Sequence, residues 1–242
     1  MLHRTGNIAV VPLGIGYYTA AEAAALIGAS VRSVARWLGG YAYKNAKGER
    51  VEGAPLWRPQ VPDLGQGLEL GFRDLIELRF VLAFVRQKVP LNVVRRCLAT
   101  AREVVGEERP FATNKFKTDG RRIFLDSFRV ETASEMGGNA QLIDLATRQL
   151  VFKPVVEQTF KDLDLAEGAV VRWRPHQGKP SIVIDPLRSF GKPVAAESGA
   201  PTAALALSVR AEGSVLRTSR LFGVPQSVVK DAVDFERSLM AA

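Results

Sequence analysis

The chain has 242 residues, of which 47% are apolar and 24% are charged, the composition of a globular protein with one large or two small cores. No apolar run reaches the ~18 residues that span a bilayer, and the N-terminus lacks a secretory signal pattern. A single cysteine, Cys97, excludes an internal disulfide framework, and its helical context predicts a small core residue. We therefore expect a cytoplasmic protein.

The positive charge of the chain, +8 in total, is concentrated near the N-terminus. Residues 1–62 hold seven Lys or Arg against three Asp or Glu, and the remaining 180 residues hold 26 against 22. Each part therefore carries +4, so the N-terminal quarter is about three times as cationic per residue. Such an asymmetry is typical of a nucleic-acid-binding element.

Residues 18–37 predict a helix, a tight turn and a second helix, after an extended lead-in that includes the apolar run 8–11. Thr19 and Glu22 have the spacing of a capping box. Tyr17 and Tyr18 are expected to pack beneath the first helix, with contact to phosphates as the alternative. Gly28 suits the end of the first helix, and Ser30 suits the N-cap of the second. This pattern is a helix-turn-helix.

The second of these helices presents cationic and hydroxyl side chains away from its apolar face, which Val34 and Leu38 mark. A helix-turn-helix with such a second helix commonly places it in the DNA major groove. The alternative is an αα-hairpin whose arginines are only solvated. The candidate groove contacts are Ser30, Arg32, Ser33 and Arg36.

Residues 41–58 predict a wing beside the helix-turn-helix. The alternating Tyr41 and Tyr43 predict a strand, residues 45–48 a turn, and residues 56–58 the return strand, followed by a loop over 59–67. A wing at this place would bring cations to the DNA backbone. The candidate contacts are Tyr41, Lys44, Lys47 and Arg50.

Two helices are predicted next, over residues 72–85 and 91–105, with a break at Val89 and Pro90. The first is apolar nearly all round, so it is buried in the chain's own core or shared with a second copy in a dimer. Residues 115–125 then predict a β-hairpin turning at Asp119-Gly120. Its inner face would hold Phe116 and Ile123, and its outer face would hold Lys115, Lys117 and Arg122, neutralised by an anionic partner or by solvent.

Residues 126–180 predict a short helix near 142–146 and strands at 150–152 and 169–174. In the last strand Arg172 and Arg174 would face one way and Trp173 the other. His176 lacks neighbours at metal-ligand spacing, which predicts a surface loop residue and no metal site.

The C-terminal part predicts a buried strand at 181–185 and three helices, at 202–212, 214–222 and 226–239. The last helix holds two cations against three carboxylates, so we expect a protein-contact module there and not a DNA reader. The fold class is therefore mainly α with small β elements. The predicted domains are a winged helix-turn-helix with a helical extension at 1–110, a hairpin-containing connecting region at 111–180 and a trihelical module at 181–242.

Residues 18–74 resemble the opening winged helix-turn-helix of MerR-type regulators, through Tyr18-Thr19, Glu22, Gly28 and Arg36-Trp37, and through Phe72-Arg-Asp-Leu75. The long coiled-coil helix and the effector-binding cysteines of those regulators are absent from the sequence. Residues 182–235 resemble the bacterial domain of unknown function 433, a homeodomain-like module common in antitoxins, through Ile184-Asp-Pro186, Gly191-Lys-Pro-Val194 and Phe222-Gly-Val224.

The combination of both modules resembles the long VapB-type antitoxins. The resemblance implies a type II antitoxin that neutralises a PIN-domain ribonuclease toxin and binds operator DNA, as a homodimer, to repress its own transcription. The cations that it would direct at the toxin's carboxylates are Lys115, Lys117, Arg122, Arg172 and Arg174. The alternative is a MerR-like regulator without a toxin. The sequence contains no catalytic motif or cofactor-binding loop, so an enzyme is not expected.

Overall fold

This computed structural model describes residues 14–44, 48–62, 67–120, 122–124 and 154–241. The N-terminal part consists of β1 (Tyr18–Thr19), α1 (Ala20–Ile27), α2 (Val31–Gly39), β2 (Tyr41–Lys44), β3 (Arg50–Gly53) and β4 (Glu69–Leu70). Strands β1 and β4 pair antiparallel, as do β2 and β3. The expected fold class, mainly helical with small two-stranded sheets and an N-terminal helix-turn-helix, is confirmed.

Two long helices follow as the sequence predicts: α3 (Phe72–Arg86) and α4 (Leu91–Val105). Pro90 is the N-cap of α4, since a proline has no N–H to lose at that position. Helix α3 is buried on nearly every side, and it carries Asp74 and Glu77 into the core. Cys97 on α4 is fully buried, as predicted.

The predicted β-hairpin at 115–125 is wrong, because residues 114–120 and 122–124 are helical. The hydroxyl of Thr113 accepts a hydrogen bond from the N–H of Phe116 (3.2 Å), which is the arrangement of a helix N-cap. Phe116 and Ile123 are both buried, and a separation of seven residues is the spacing of side chains on one helix face. Tertiary burial of these two side chains therefore overrides the Asp-Gly turn signal.

The second half contains a helical segment at 154–160, β5 (Leu163–Ala166), β6 (Ala169–Trp173), β7 (Ile182–Val183) and β8 (Val194–Ala195). Strand β6 confirms the predicted strand at 169–174, but its hairpin partner β5 was not predicted. The hairpin turns at Glu167 and Gly168, both with positive φ. The predicted elements at 8–11, 142–146 and 150–152 lie outside the described residues, as does part of the loop at 59–67.

Three helices close the chain where the sequence places them: α5 (Thr202–Glu212), α6 (Val215–Phe222) and α7 (Gln226–Met240). Their small core is built mainly from Leu205, Val224, Val229 and Ala232. His176 is only 12% exposed, with its ring edge-on to Phe235, so the prediction of a surface residue is wrong for this side chain.

The main core is continuous from the helix-turn-helix to β6, so the middle of the chain packs on α3. Its centre is a group of phenylalanines whose ring centroids lie 4.6 to 5.9 Å apart, and each contributes about 1.5–3 kcal/mol by burial. They are Phe80, Phe84, Phe111, Phe116, Phe124 and Phe160. The domain boundaries at 110 and 180 stay predictions.

The C-terminal part is attached to the helix-turn-helix by specific contacts. The buried Tyr18 hydroxyl donates to the carbonyl of Gly191 (2.7 Å), and Lys192 forms an ion pair with Glu22. Gly191 has φ +77°, and a Cβ there would lie 2.3 Å from the Tyr18 hydroxyl oxygen. Only glycine fits this contact.

Candidate nucleic-acid interface

The helix-turn-helix is built by local capping, as the sequence predicts. The Thr19 hydroxyl accepts from the N–H of Glu22, and the Glu22 carboxylate accepts from the N–H of Thr19 (2.9 Å), which completes the capping box. Gly28 ends α1 in the left-handed conformation, and its carbonyl accepts from Arg86 on α3 (2.8 Å). The turn is therefore fixed both by its own sequence and by the core helix.

Helix α2 buries Val34, Trp37 and Leu38 and leaves its other side in solvent. Arg32 and Arg36 are exposed on that side, and the Arg32 side chain has no hydrogen bond or ion pair with any described residue. This cationic face has the position that a recognition helix requires.

The two serines at the start of α2 are occupied in the cap. Ser30 accepts from the N–H of Ser33 (3.1 Å), and the two hydroxyl oxygens lie 2.8 Å apart. Their first effect is therefore to fix the beginning of α2. Both remain accessible enough to meet a phosphate at the helix N-terminus, where the helix dipole favours an anion.

Arg36 is oriented by the wing. Its guanidinium carbon lies 4.1 Å from the centroid of the Tyr41 ring, a cation–π contact across the junction of α2 and β2. The Tyr41 ring in turn covers Gly53, where a Cβ would lie 2.4 Å from a ring atom. A glycine on β3 thus positions a tyrosine, and the tyrosine positions an arginine.

The wing itself pairs β2 with β3, so the predicted return strand at 56–58 is wrong. Lys44 stands opposite Arg50 in the ladder, at the end of the wing farthest from α2. The Arg50 guanidinium is 73% exposed and lies 3.4 Å from the Glu52 carboxylate, a surface pair that an anionic ligand can replace. Lys47 lies outside the described residues.

Residues 54–57 instead connect the wing to the core. The N–H of Leu56 donates to the carbonyl of Trp37 (2.8 Å), and Arg95 on α4 donates to the carbonyls of Ala54 and Pro55. Leu56 and Trp57 are buried, which explains their apolar character without a strand. The orientation of the wing is thus set by α2 and α4.

A buried carboxylate links the segment after the wing, α3 and the segment after α4. Asp74 is fully buried and accepts four hydrogen bonds of 2.7 to 2.9 Å. The donors are the Trp57 indole, the Arg109 guanidinium and the backbone N–H groups of Gln60 and Gly71. This network was not predicted, although an acidic residue in the first turn of a mainly apolar helix was a visible signal.

Glu77, one turn further along α3, is also fully buried. One carboxylate oxygen accepts from the N–H of Ala112 (2.9 Å), and the other has no hydrogen-bond partner among the described residues. Desolvation by burial raises the pKa of Glu77 to about 8, although that hydrogen bond and the charge of Arg109 act in the opposite direction. Burial likewise raises the pKa of the Cys97 thiol.

The candidate toxin-binding cations lie on two elements, a helical segment and the end of the β5–β6 hairpin. Lys115 and Lys117 are exposed on a helical segment; the Lys115 ammonium donates to the carbonyl of Val105 (3.3 Å), and the Lys117 ammonium lies 6.0 Å from the Phe160 ring centroid. The face that a hairpin would have given to Lys115, Lys117 and Arg122 is therefore absent.

Arg172 on β6 and Arg174 directly after it flank the buried Trp173. Each forms an ion pair of 2.8 Å, Arg172 with Asp185 and Arg174 with Asp164.

Among the described residues no three His, Cys, Asp or Glu side chains are grouped as metal ligands. Within the same ranges every helix is too short or too polar to span a bilayer.

Comparison with known proteins agrees with this geometry. Residues 16–98 match the family described as "Putative DNA-binding HTH domain", a range that contains α1, α2, the wing and α3. The N-terminal part of the chain is thus a helix-turn-helix domain.

The similarity to a known protein extends much further. Over 228 residues the chain is 27% identical to "Putative antitoxin VapB45" of Mycobacterium tuberculosis. The aligned region covers 90% of this chain and 92% of that protein. The chain is a homologue of that protein. The crystal structure of Rv2018 from Mycobacterium tuberculosis has a TM-score of 0.68 at 24% identity, over 92% of this chain and 100% of that one, so the two share a fold.

Proposed function

We propose that the chain is the antitoxin of a type II toxin–antitoxin system, which neutralises a PIN-domain ribonuclease toxin and binds operator DNA to repress its own transcription. One observation supports this most: a helix-turn-helix with an exposed arginine face belongs to a chain that aligns almost end to end with a protein named as an antitoxin. In this role the chain is not an enzyme, needs no cofactor and acts in the cytoplasm.

The proposed DNA contacts follow the geometry of the N-terminal domain. Helix α2 enters the major groove with Arg32 and Arg36, of which Arg36 is already oriented by Tyr41. The wing holds the phosphate backbone beside the groove. The complete proposed set is Ser30, Arg32, Ser33, Arg36, Tyr41, Lys44, Lys47 and Arg50. The resemblance to MerR-type regulators supports a homodimer on a palindromic operator, with half-sites roughly one or two helical turns apart.

The proposed toxin contacts are cationic and occupy two places in the fold. Arg172 lies on β6 and Arg174 directly follows it, with their side chains 53% and 30% exposed, and a toxin carboxylate would compete with Asp185 and Asp164 for them. The second group comprises Lys115, Lys117 and Arg122. The resemblance of residues 182–235 to domain of unknown function 433, a module common in antitoxins, supports a protein partner.

The DNA-binding part of the proposal is tested by electrophoretic mobility shift on the DNA directly upstream of the chain's own gene. The double variant Arg32→Ala/Arg36→Ala should bind this DNA at least about 30-fold more weakly, since each lost base or phosphate contact costs about 1–3 kcal/mol. The control is Lys161→Ala, which removes an exposed cation elsewhere. Unchanged affinity of the double variant would refute the assignment of α2.

The toxin-binding part is tested by co-expression with the product of the adjacent open reading frame. We expect a stable complex that survives size-exclusion chromatography and suppresses the ribonuclease activity of the partner. Repeated purification of the chain alone, from cells in which both proteins are soluble, would contradict this part.

A MerR-like regulator without a toxin is the second candidate. The observation in its favour is that the family match covers residues 16–98, the DNA-binding part alone. The two candidates differ in one outcome: the regulator binds the upstream DNA but forms no complex with the neighbouring gene product.

A further inference from the structure

The C-terminal helices α6 and α7 repeat the spacing of α1 and α2 residue for residue. Helices α1 and α6 have eight residues each, and both begin after a hydroxyl N-cap, Thr19 and Ser214. Both end at a left-handed glycine, Gly28 (φ 70°, ψ 41°) and Gly223 (φ 62°, ψ 33°). In both units the second helix begins three residues after that glycine. The offset is 195 throughout, from Thr19 to Ser214 and from Gly28 to Gly223.

The two units also share the hydrogen bonds of the turn. In each, the N–H of the residue after the glycine donates to the carbonyl five positions earlier, at 2.9 and 3.0 Å, which is a Schellman motif. The fourth residue of each second helix, Val34 and Val229, is fully buried. Residues 214–240 therefore form a second helix-turn-helix by backbone geometry as well as by spacing.

The acidic residues of α7, which argued against DNA in the sequence, all have partners in the structure. Their partners are Lys179 and His176 for Asp231, Thr202 for Glu236, and Arg237 for Asp234. Asp231 is only 20% exposed, and the Lys179 ammonium lies 2.8 Å from it. Lys179 balances the charge of Asp231, and Arg237 of α7 itself pairs with Asp234, whereas Glu236 has only the neutral Thr202 hydroxyl. With Lys179 counted, the two cations and three carboxylates of α7 come to a net charge of zero instead of −1, so the helix is a weaker anion than its composition indicates.

Five outward positions near the turn of the second unit are cationic or polar. All are exposed, and no side chain among them bonds to another described residue: Arg217, Arg220, Gln226, Ser227 and Lys230. Arginine, lysine, serine, glutamine and the N-terminus of a helix are the usual donors to DNA phosphates. Ser227 and Asp231 stand where the first unit has Arg32 and Arg36, so this unit lacks the arginines that read bases.

We propose that α6 and the first two turns of α7 bind DNA phosphates, as a second and sequence-independent contact beside the helix-turn-helix of α1 and α2. This contact rests on the proposed DNA-binding function and extends it to the C-terminal part of the chain. A protein is the alternative ligand for this surface of α6 and α7, because Leu216 and Leu221 on α6 are 43% and 68% exposed. The experiment distinguishes the two.

The test measures DNA affinity of the full chain by fluorescence anisotropy between about 50 and 200 mM salt. The probes are the DNA directly upstream of the chain's own gene, in a duplex of about 60 base pairs, and a scrambled duplex of the same length. The variant is Arg217→Ala/Arg220→Ala/Lys230→Ala. Its control, Lys88→Asn/Lys161→Ala/Arg210→Ala, removes the same charge from exposed side chains that also lack a partner among the described residues.

We expect the triple variant to bind both duplexes about tenfold more weakly, and the slope of log affinity against log salt to fall by about 3, roughly one for each lost phosphate contact. The control should keep the parent's slope. A triple variant with the parent's affinity and slope would overturn the proposed contact. So would loss of the complex with the neighbouring gene product at unchanged DNA affinity, which would assign the surface to a protein.

The outcomes separate this contact from the function on which it rests. A parent chain that binds the duplexes, and loses specific binding with Arg32→Ala/Arg36→Ala, supports the N-terminal assignment whatever the triple variant does. A parent chain that binds neither duplex would overturn both proposals together.

Discussion

The substitution Asp74→Asn tests whether one buried carboxylate holds the segment after the wing, α3 and the segment after α4 together. Asp74 is surrounded by donors only: an indole N–H, a guanidinium and two backbone N–H groups, all within 2.9 Å. An asparagine keeps the size of the side chain but replaces one acceptor oxygen by an NH₂ group. That group would face donors, so at least one hydrogen bond is lost and one repulsive contact is formed.

The size of the effect follows from burial. Removing one partner of a buried ion pair costs about 3–5 kcal/mol, because the other charge stays in the core without compensation. The Arg109 side chain is 9% exposed, but it also donates to the carbonyl of Arg58 (2.7 Å) and to Glu108 (3.1 Å). These remaining partners place the expected loss near the lower end, about 3 kcal/mol.

The assay is equilibrium urea denaturation, read as a lower midpoint at unchanged m-value. Asp234→Asn is the matched control, since its ion pair with Arg237 is exposed and should change stability by less than about 1 kcal/mol. The double variant Asp74→Asn/Arg109→Met should lose less stability than the two single variants lose together, because it also removes the uncompensated charge of Arg109. A loss below about 1 kcal/mol for Asp74→Asn would refute the reasoning.

Two further predictions concern pH and the wing. The pKa of Glu77 is about 8 in the folded chain against an ordinary 4.5, so Glu77 ionises at lower pH in the unfolded chain than in the folded one. The free energy of unfolding should therefore fall as pH rises from about 5 to 8. The variant Glu77→Gln should show a weaker pH dependence in urea titrations. A decrease of equal size in Glu77→Gln would contradict this. The variant Gly53→Ala should displace the Tyr41 ring and release Arg36, and should therefore weaken DNA binding severalfold in mobility shifts. The control Gly39→Ala, with no atom within 4 Å of the new Cβ, should keep the DNA affinity of the parent chain. Equal affinities of these two glycine variants would show that Tyr41 does not orient Arg36.

Parts of the chain differ, for a physical reason, in how far their local sequence determines their structure. The capping box at Thr19, the glycine ends of α1 and α5, and the break at Pro90 were all predictable. Each depends on hydrogen bonds or dihedral preferences within about four residues, so the local sequence contains the whole cause.

The prediction of a hairpin at 115–125 is wrong because the same residues satisfy two local patterns. Asp119-Gly120 favours a turn, whereas Phe116 and Ile123 lie on one face in a helix. The choice between them is made by the phenylalanines of α3 and of the segment after α4, which are distant in sequence.

The sequence by itself determined the class of this protein: a mainly helical chain, with a helix-turn-helix near its cationic N-terminus and three helices at its C-terminus. Only the tertiary structure decided how the candidate site is held. It placed Arg36 over Tyr41, and Asp74 among donors from three segments of the chain. It also gave each carboxylate of α7 a partner, which turned an apparently acidic helix into part of a second candidate DNA contact. Such contacts join residues far apart in sequence, and their energies depend on burial and charge that local patterns do not contain.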